Sequence, residues 1–199
     1  MYLIKKIKLK NFKIKTLFTL LLITCSTLAI EANQTFVLGS DNEFKVEGTS
    51  TLHDWDMVSK EAEGKAEIKL ENRRIEDLPS LEITIPSETL KSGRRGMDNN
   101  AYKALKTDQY SNIRFVLQSV EEITGQTVKA KGRLTVAGNS RDVTIEAHYR
   151  ATSNNIRFIG KLEIKFSDFD IEPPTAMLGS VKTGDELEIS FNAMFNLSN

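Results

Sequence analysis

Apolar residues stand at every second position in eight separate stretches of this 199-residue chain. In residues 62–70 the even positions hold Ala, Gly, Ala, Ile and Leu, and the odd positions hold Glu and Lys. The helix propensity of Glu, Ala and Lys favours a helix here, but an apolar residue at every second position gives one dry face only in a strand. The pattern therefore predicts a chain built mainly from strands that each have one face in water.

The other seven stretches cover much of the remaining chain. They are residues 44–48, 81–85, 113–117, 128–136, 143–149, 156–166 and 187–197. Short polar turns between several of them are typical of hairpins in an antiparallel meander. About eight such strands can hide one apolar face in a sandwich or in a closed barrel. The long final strand favours the barrel because closure removes exposed edges, so we predict an all-β antiparallel barrel of about eight strands.

Four glycines fall on apolar positions of these stretches, namely Gly48, Gly64, Gly132 and Gly160. There we expect them to bend the strands at barrel corners, to relieve twist, or to leave gaps for a ligand. A barrel of about eight strands is wide enough to hold one small ligand inside.

Two segments interrupt the alternation. Residues 91–112 contain Gly and Arg followed by Asp98, whose side chain is predicted to cap one short α-helix in this long loop. Residues 167–184 contain two prolines and several apolar side chains, and they are too long for a simple turn. We expect both loops to lie beside the barrel as lids, or to plug one end of it.

Six lysines within the first 15 residues precede the apolar run Leu17–Ile23, which is the arrangement of an export signal. Threonines and serines interrupt this region, so it falls short of the roughly 20 apolar residues of a membrane-spanning helix. We predict a signal peptide at residues 1–32, one domain at residues 33–199, and a periplasmic or secreted protein. Because the residues before Cys25 loosely resemble a bacterial lipobox, the alternative is an envelope lipoprotein that associates with the membrane through a lipid on Cys25.

The charge of the predicted domain argues against one class of partner. The whole chain has 27 basic and 27 acidic residues, and residues 1–32 hold six of the basic ones and one of the acidic ones. The net charge of −5 that remains disfavours a nucleic acid, whose phosphates need a positive surface. Residues 33–199 contain no cysteine, which excludes disulfide chemistry and thiol catalysis there.

The sequence carries few signals of catalysis. Its two histidines are His53 and His148, and His148 falls on a polar position of its strand. His53 lies next to Asp54, so a hydrolase or isomerase that uses this pair is a remote hypothesis. No second His or Cys stands at a metal-ligand spacing, and no nucleophile-elbow, phosphate-loop or zinc-protease motif occurs. We expect no metal, no cofactor and no catalysis, and an imidazole of His53 that is hydrogen-bonded within its turn.

Five sequence blocks, in order, cover nearly the whole predicted domain. They are residues 48–55 (GTSTLHDW), 92–98 with 102–105 (SGRRGMD, YKAL), 110–115 (YSNIRF), 132–136 with 140–145 (GRLTV, SRDVTI), and 166–171 with 184–189 (FSDFDI, GDELEI). Together they resemble the successive blocks of the YceI-like family, although residues 50–55 depart from the best-known members. The resemblance implies an exported bacterial, lipocalin-like barrel with a helix, whose interior holds a polyisoprenoid or an amphiphile with a fatty chain. It also implies a homodimer.

A lipid carrier needs a hollow barrel rather than a filled one. About ten buried methylene groups gain about 8 kcal/mol, whereas association costs on the order of 4–15 kcal/mol. The ligand therefore needs a long chain and an enclosed apolar cavity. Under this interpretation the protein sequesters or transports a long-chain isoprenoid or fatty-acid-type lipid without catalysis. The alternative is a structural or protein-interaction barrel with a packed interior.

Candidate ligand contacts follow from the inward strand positions and from the two loops. The strand candidates are Phe44, Val46, Trp55, Ile83, Ile85, Phe115, Phe158, Phe166, Phe191 and Phe195. The candidates in the lids are Tyr102, Leu105, Phe169 and Met177. Arg94 and Arg95 are candidates for binding an anionic headgroup such as a diphosphate. Core packing is the alternative role of each strand candidate.

Overall fold

The alternating stretches form the strands of the computed structural model, which describes residues 33–198. The strands are β1 (Gln34–Leu38), β2 (Glu43–Ser50), β3 (Trp55–Ser59), β4 (Glu63–Glu71), β5 (Arg74–Pro86), β6 (Asn112–Thr124), β7 (Thr127–Val136), β8 (Asn139–Ala151), β9 (Asn155–Lys165), β10 (Thr175–Ala176) and β11 (Val181–Leu197). The one α-helix of these described residues is α1 (Arg95–Leu105), and short 3-10 turns occur at Ser87–Thr89, Ser167–Phe169 and Met177–Gly179. The Glu/Ala/Lys-rich stretch lies in β4, so burial of one face outweighs helix propensity there.

Eight strands form a closed antiparallel ring. Their order is β1-β4-β5-β6-β7-β8-β9-β11, and β11 pairs with β1 to close it. The hairpin β2-β3 joins through β2, which pairs with Thr183–Asn192 of β11, whereas β1 pairs with Phe195–Leu197. Strands β1 and β2 therefore lie end to end along β11. The predicted antiparallel barrel of about eight strands with one short helix is confirmed, and the chain does not form the alternative sandwich.

Large side chains close one end of the barrel. This floor consists of Phe36, Ile68, Tyr149, Ile156 and Phe195, each less than 2% exposed. The ring of Phe195 meets that of Phe158 edge to face with 6.0 Å between the centroids, a favoured geometry for aromatic pairs. Burying the five floor side chains away from water contributes roughly 10 kcal/mol to the free energy of folding.

The hydroxyl of Tyr149 ties the floor to two neighbouring segments. It accepts a hydrogen bond from the backbone N–H of Ile75 at 3.1 Å and donates one to the carbonyl of Gly125 at 3.1 Å. A buried hydroxyl needs such partners, because an unmade hydrogen bond leaves its desolvation uncompensated. The floor is therefore both densely packed and satisfied in its hydrogen bonds.

Both ends of the described chain lie at the floor. Gln34 pairs with Ile68 of the floor. The backbone N–H of Ser198 donates to the carbonyl of Thr35 at 2.8 Å. The described chain therefore starts and finishes at the closed end, and its long connections reach the other end.

That other end, the mouth, is bordered by residues 51–54, by α1 and by residues 174–183. The backbone N–H of Thr51 donates to the carbonyl of Lys182 at 2.9 Å, which joins the first of these segments to the third. Phe169 is 1% exposed and plugs part of this end. Both loops that interrupt the alternation thus reach the same end of the barrel, and their opening or closing stays a prediction.

The helix α1 begins at Arg95, three residues before the residue predicted to cap it. Arg94 occupies the cap position and Asp98 lies in the first turn, so the prediction of Asp98 as the cap is wrong. The Asp98 carboxylate instead accepts hydrogen bonds from the backbone N–H of Ser92 at 2.8 Å and from its hydroxyl at 2.6 Å. Burial raises the pKa of Asp98, but the bonds from Ser92 and the nearby Lys91 lower it by more, so this pKa lies below its ordinary value. Asp98 thus closes the loop that brings α1 to the mouth.

Candidate functional site

The barrel is hollow above the floor. A cavity of about 790 Å³ extends from Phe195 to the mouth and is lined by 46 residues. At about 30 Å³ for each group the size of a water molecule or a methylene, it has room for roughly 25 such groups. A cavity of this size does not agree with the alternative of a structural barrel whose interior is packed.

The lining of the cavity is apolar except near the mouth. Among the described residues that line it, the ionisable ones are His53, Arg94 and Lys165, and all three are basic. Solvent exclusion favours an apolar chain in the interior, whereas the basic side chains favour an anion near the mouth.

Aromatic rings seated on glycines keep the bore open. Three rings each lie over a glycine of a neighbouring strand: Trp55 over Gly48, Phe115 over Gly132, and Phe191 over Gly160. A Cβ atom at any of these glycines would lie closer to the ring than carbon atoms approach in proteins. The gaps predicted at these glycines exist, but aromatic rings fill them. Because each ring occupies the space of a missing side chain at the wall, less of it projects toward the barrel axis.

The structure brings nearly all predicted ligand contacts together. All ten strand candidates line the cavity. From the loops, Leu105, Phe169 and Met177 also line it. Of the two headgroup candidates, Arg94 lines the cavity, whereas Arg95 is exposed and lies outside the lining.

Tyr102 is the lid candidate that the structure places outside the lining. Its hydroxyl lies 2.9 Å from the carbonyl oxygens of both Glu88 and Leu90, which share its one proton, and it accepts from the Lys91 ammonium at 2.6 Å. Lys91 also exchanges backbone hydrogen bonds with Val58 of β3, at 2.9 and 3.0 Å. Tyr102 therefore fastens α1 to the wall of the barrel, because its hydroxyl is fully engaged on that side.

The cavity also has lining residues that we did not predict. One face of α1 contributes Met97, Ala101 and Ala104 beside the predicted Leu105, and the spacing of these four residues is typical of a helix face. That spacing is visible in the sequence and identifies this face. Leu52 also lines the cavity, but it lies in a turn, where no periodic pattern indicates the direction of a side chain.

His53 and Arg94 meet at the mouth. The Nη1 atom of Arg94 lies 3.2 Å from Nε2 of His53, and Nδ1 of His53 lies 2.7 Å from the carbonyl oxygen of Asp54. A guanidinium only donates, so Nε2 is the acceptor and Nδ1–H donates, which assigns a neutral imidazole. This matches the expected imidazole held within its turn. Asp54 meets the ring through its backbone carbonyl, so these contacts lack the carboxylate–imidazole pair that a general-base role would use.

The cation of Arg94 has no acidic partner. Among residues 33–198, no carboxylate lies within salt-bridge distance of its guanidinium. Lys165 is 3.6 Å from Glu186, and both side chains are more than half exposed, so water weakens their attraction. The mouth thus offers positive charge to an anion.

Residues 33–198 present neither a metal site nor a membrane-spanning helix. No group of three or more His, Cys, Asp or Glu side chains is arranged to hold a metal ion. No helix there reaches the length and hydropathy of a membrane span.

His148 is exposed, and its Nδ1 lies 2.8 Å from the Thr127 hydroxyl, as expected for the outer face. The predicted signal peptide and Cys25 lie outside the described residues.

Comparison with protein families gives one match over most of the chain. The model of the YceI-like domain matches residues 38–195. A comparison with curated protein sequences finds no match.

Several solved structures share the fold. BcnA of Burkholderia cenocepacia has a TM-score of 0.64 and 18% identity over 77% of this chain and 95% of its own. A polyisoprenoid-binding domain from Saccharophagus degradans, implicated in plant cell wall breakdown, has a TM-score of 0.63 and 12% identity over 83% and 99%. The YceI protein of Campylobacter jejuni has a TM-score of 0.56 and 21% identity over 68% and 82%. At these identities the likeness establishes the fold.

Proposed function

This chain belongs to the YceI-like family, and from that membership we propose that it holds a long-chain apolar lipid in its barrel without catalysing a reaction. The lipid is a polyisoprenoid or a fatty-acid-type amphiphile, which the protein sequesters or transports in the cell envelope. The observation that carries the proposal is the apolar cavity of about 790 Å³. The polyisoprenoid-binding domain of similar fold supports the class of ligand.

The size of the cavity sets the length of the ligand. A chain of roughly 25 methylene-sized groups would gain roughly 20 kcal/mol on burial, which exceeds the cost of association of about 4–15 kcal/mol. A chain of about ten groups gains only about 8 kcal/mol and does not exceed it reliably. The proposed ligand therefore has a chain of about 20 carbons or more.

The headgroup of this ligand is proposed to be anionic and to lie at the mouth. Arg94 is free of carboxylates, and its planar guanidinium can bind a phosphate or a carboxylate with two hydrogen bonds. His53 and Lys165 line the same region. Arg95, on the first turn of α1, stays a prediction for the same headgroup. The loops at 91–112 and 167–184 are proposed to gate access to the bore.

Native mass spectrometry of the protein purified from its own host tests the proposal. We expect the purified protein to contain an apolar molecule that organic extraction removes. The extracted protein should then bind lipids more tightly as their chains lengthen toward about 20 carbons. Ala147 lines the bore on β8 and Thr144 faces outward on the same strand. Ala147→Phe should reduce lipid binding, and Thr144→Phe should leave it unchanged. Protein that carries no lipid and rebinds none would contradict the proposal and favour the protein-interaction alternative.

A further inference from the structure

The three most exposed large apolar side chains of residues 33–198 all lie at the mouth. Leu178 is fully exposed, Met177 is 73% exposed and Leu52 is 65% exposed, whereas Ile159 on the outer wall reaches 46%. Met177 and Leu178 form the tip between β10 and β11, and the turn that holds Leu52 is hydrogen-bonded to β11 beside that tip. We call these three side chains the mouth patch. A group of exposed apolar side chains is typical of a binding surface.

The backbone of the tip has an uncommon conformation. Met177, Leu178 and Gly179 have φ angles of 51°, 57° and 85°. These angles lie in the left-handed region, which residues other than glycine adopt rarely. Two successive side chains are thus held in water on strained backbone, and such strain is concentrated at ligand clamps and functional loops.

Basic side chains surround the mouth patch. His53, Arg94 and Lys165 line the cavity there, and Lys182 is exposed beside the tip. The turn also carries one exposed carboxylate, Asp54. Residues 33–199 as a whole have a net charge of −5. Within residues 33–198, neither Arg94 nor Lys182 has a carboxylate within salt-bridge distance, so both offer positive charge on a domain that is acidic overall. Apolar side chains beside the cations Arg94 and Lys182 complement an anionic bilayer, in which phosphates lie above hydrocarbon.

We propose that the mouth is a docking surface for an anionic lipid bilayer. The mouth patch inserts below the phosphates, and the basic side chains around it contact those phosphates. The cavity opens on the same surface, so a lipid passes between bilayer and bore without crossing water. This last step rests on the proposed function, whereas docking itself does not.

Vesicle flotation tests the docking with protein purified from its host. We expect binding to vesicles of phosphatidylglycerol and phosphatidylethanolamine, weaker binding to vesicles of phosphatidylcholine, and a decrease with salt. The double variant Met177→Ser/Leu178→Ser should lose at least about tenfold in partitioning. Ile159→Ser, an exposed apolar residue on the outer wall, is the matched control and should bind as the wild type does. Because Leu178 contacts water, thermal unfolding should remain unchanged in the double variant.

Two outcomes would overturn the docking surface. One is a wild-type protein that does not float with anionic vesicles. The other is a double variant that floats as well as the wild type, which would place membrane binding elsewhere in the chain. Native mass spectra of the same samples separate this proposal from the lipid-carrier function. Wild-type protein that docks but contains and rebinds no lipid contradicts only the carrier function.

Discussion

The floor and the mouth of this barrel are built from the same alternating strands but place their inward side chains differently. At the floor, large side chains such as Phe36, Tyr149 and Phe195 belong to one packed cluster and are almost fully buried. Toward the mouth, Phe115 lies over Gly132 and the centre stays empty. The period of two decides which side chains point inward. The residue on the neighbouring strand beside each of these side chains decides whether the interior is filled.

The largest expected effect comes from emptying the floor. Phe36→Ala should lower the free energy of unfolding by about 3–5 kcal/mol, because it leaves a void in a packed region. Phe191→Ala is the matched change at a residue that already lines the cavity, and it should cost clearly less. Urea unfolding measures both, with an unchanged m-value. Equal losses would show that the two ends of the barrel do not differ in packing.

The next largest effect comes from replacing a glycine that lies under an aromatic ring. Gly132→Ala should cost about 1–3 kcal/mol, because the new methyl group clashes with the Phe115 ring and with the carbonyl of Val116. The displaced ring should also reduce the amount of lipid bound. Gly96→Ala in α1 is the control for stability, because nothing lies within 4 Å of a Cβ there, and it should be neutral or stabilising. Urea unfolding measures the loss of stability, and native mass spectrometry measures the lipid bound. Full lipid binding by the Gly132 variant would contradict the role of this glycine in keeping the cavity open.

A smaller effect is expected at the mouth from Asp98. Asp98→Asn should cost about 1–2 kcal/mol at neutral pH, because the charged acceptor of the Ser92 bonds is lost. The pKa of Asp98 is lowered in the folded state, so its stabilising contribution is complete above the unfolded value of about 3.9. That contribution disappears as the pH falls through the lower folded value.

The wild type and Asp98→Asn should therefore differ in urea unfolding at pH 7 and converge as the pH falls below the unfolded value of about 3.9. Hydrogen exchange of the α1 amides reports the same loss locally. A difference that stays constant down to acidic pH would mean that the charge of the carboxylate contributes nothing.

The smallest effect is expected on the outer wall, which floor and mouth share. Arg114 lies 2.6 Å from Glu82, and both side chains are about half exposed. The hydrogen bond from Arg114 lowers the pKa of Glu82, but solvent screening keeps such pairs weak. Glu82→Gln should change the free energy of unfolding by less than about 1 kcal/mol. A larger loss in urea unfolding would mean that the outer wall contributes to stability as the interior does.

The sequence contains enough local information to predict the inward positions of the barrel. All ten strand candidates line the bore because alternation needs only the nearest neighbours along the chain. The seating of Phe115 over Gly132 joins two strands, and their register is set by the whole sheet. For that reason the glycines were visible in the sequence but the rings over them were not.

The loops were the least predictable part. Asp98 has the residue type of a helix cap, but its carboxylate bonds back to Ser92, six positions earlier, and the helix starts before it. The tip at Leu178 has no periodic pattern, and its left-handed backbone depends on the pairing of β10 with β11. Local residue type predicts neither contact, because each depends on how the loop is closed.

Gln34 and Ser198 both emerge beside the closed base of this vessel. A tether, a tag or a solid support attached at Gln34 or at Ser198 therefore holds the molecule by its base and leaves the opening clear. Protein immobilised there should bind the proposed lipid as free protein does, whereas an attachment at residues 177–179 would obstruct it.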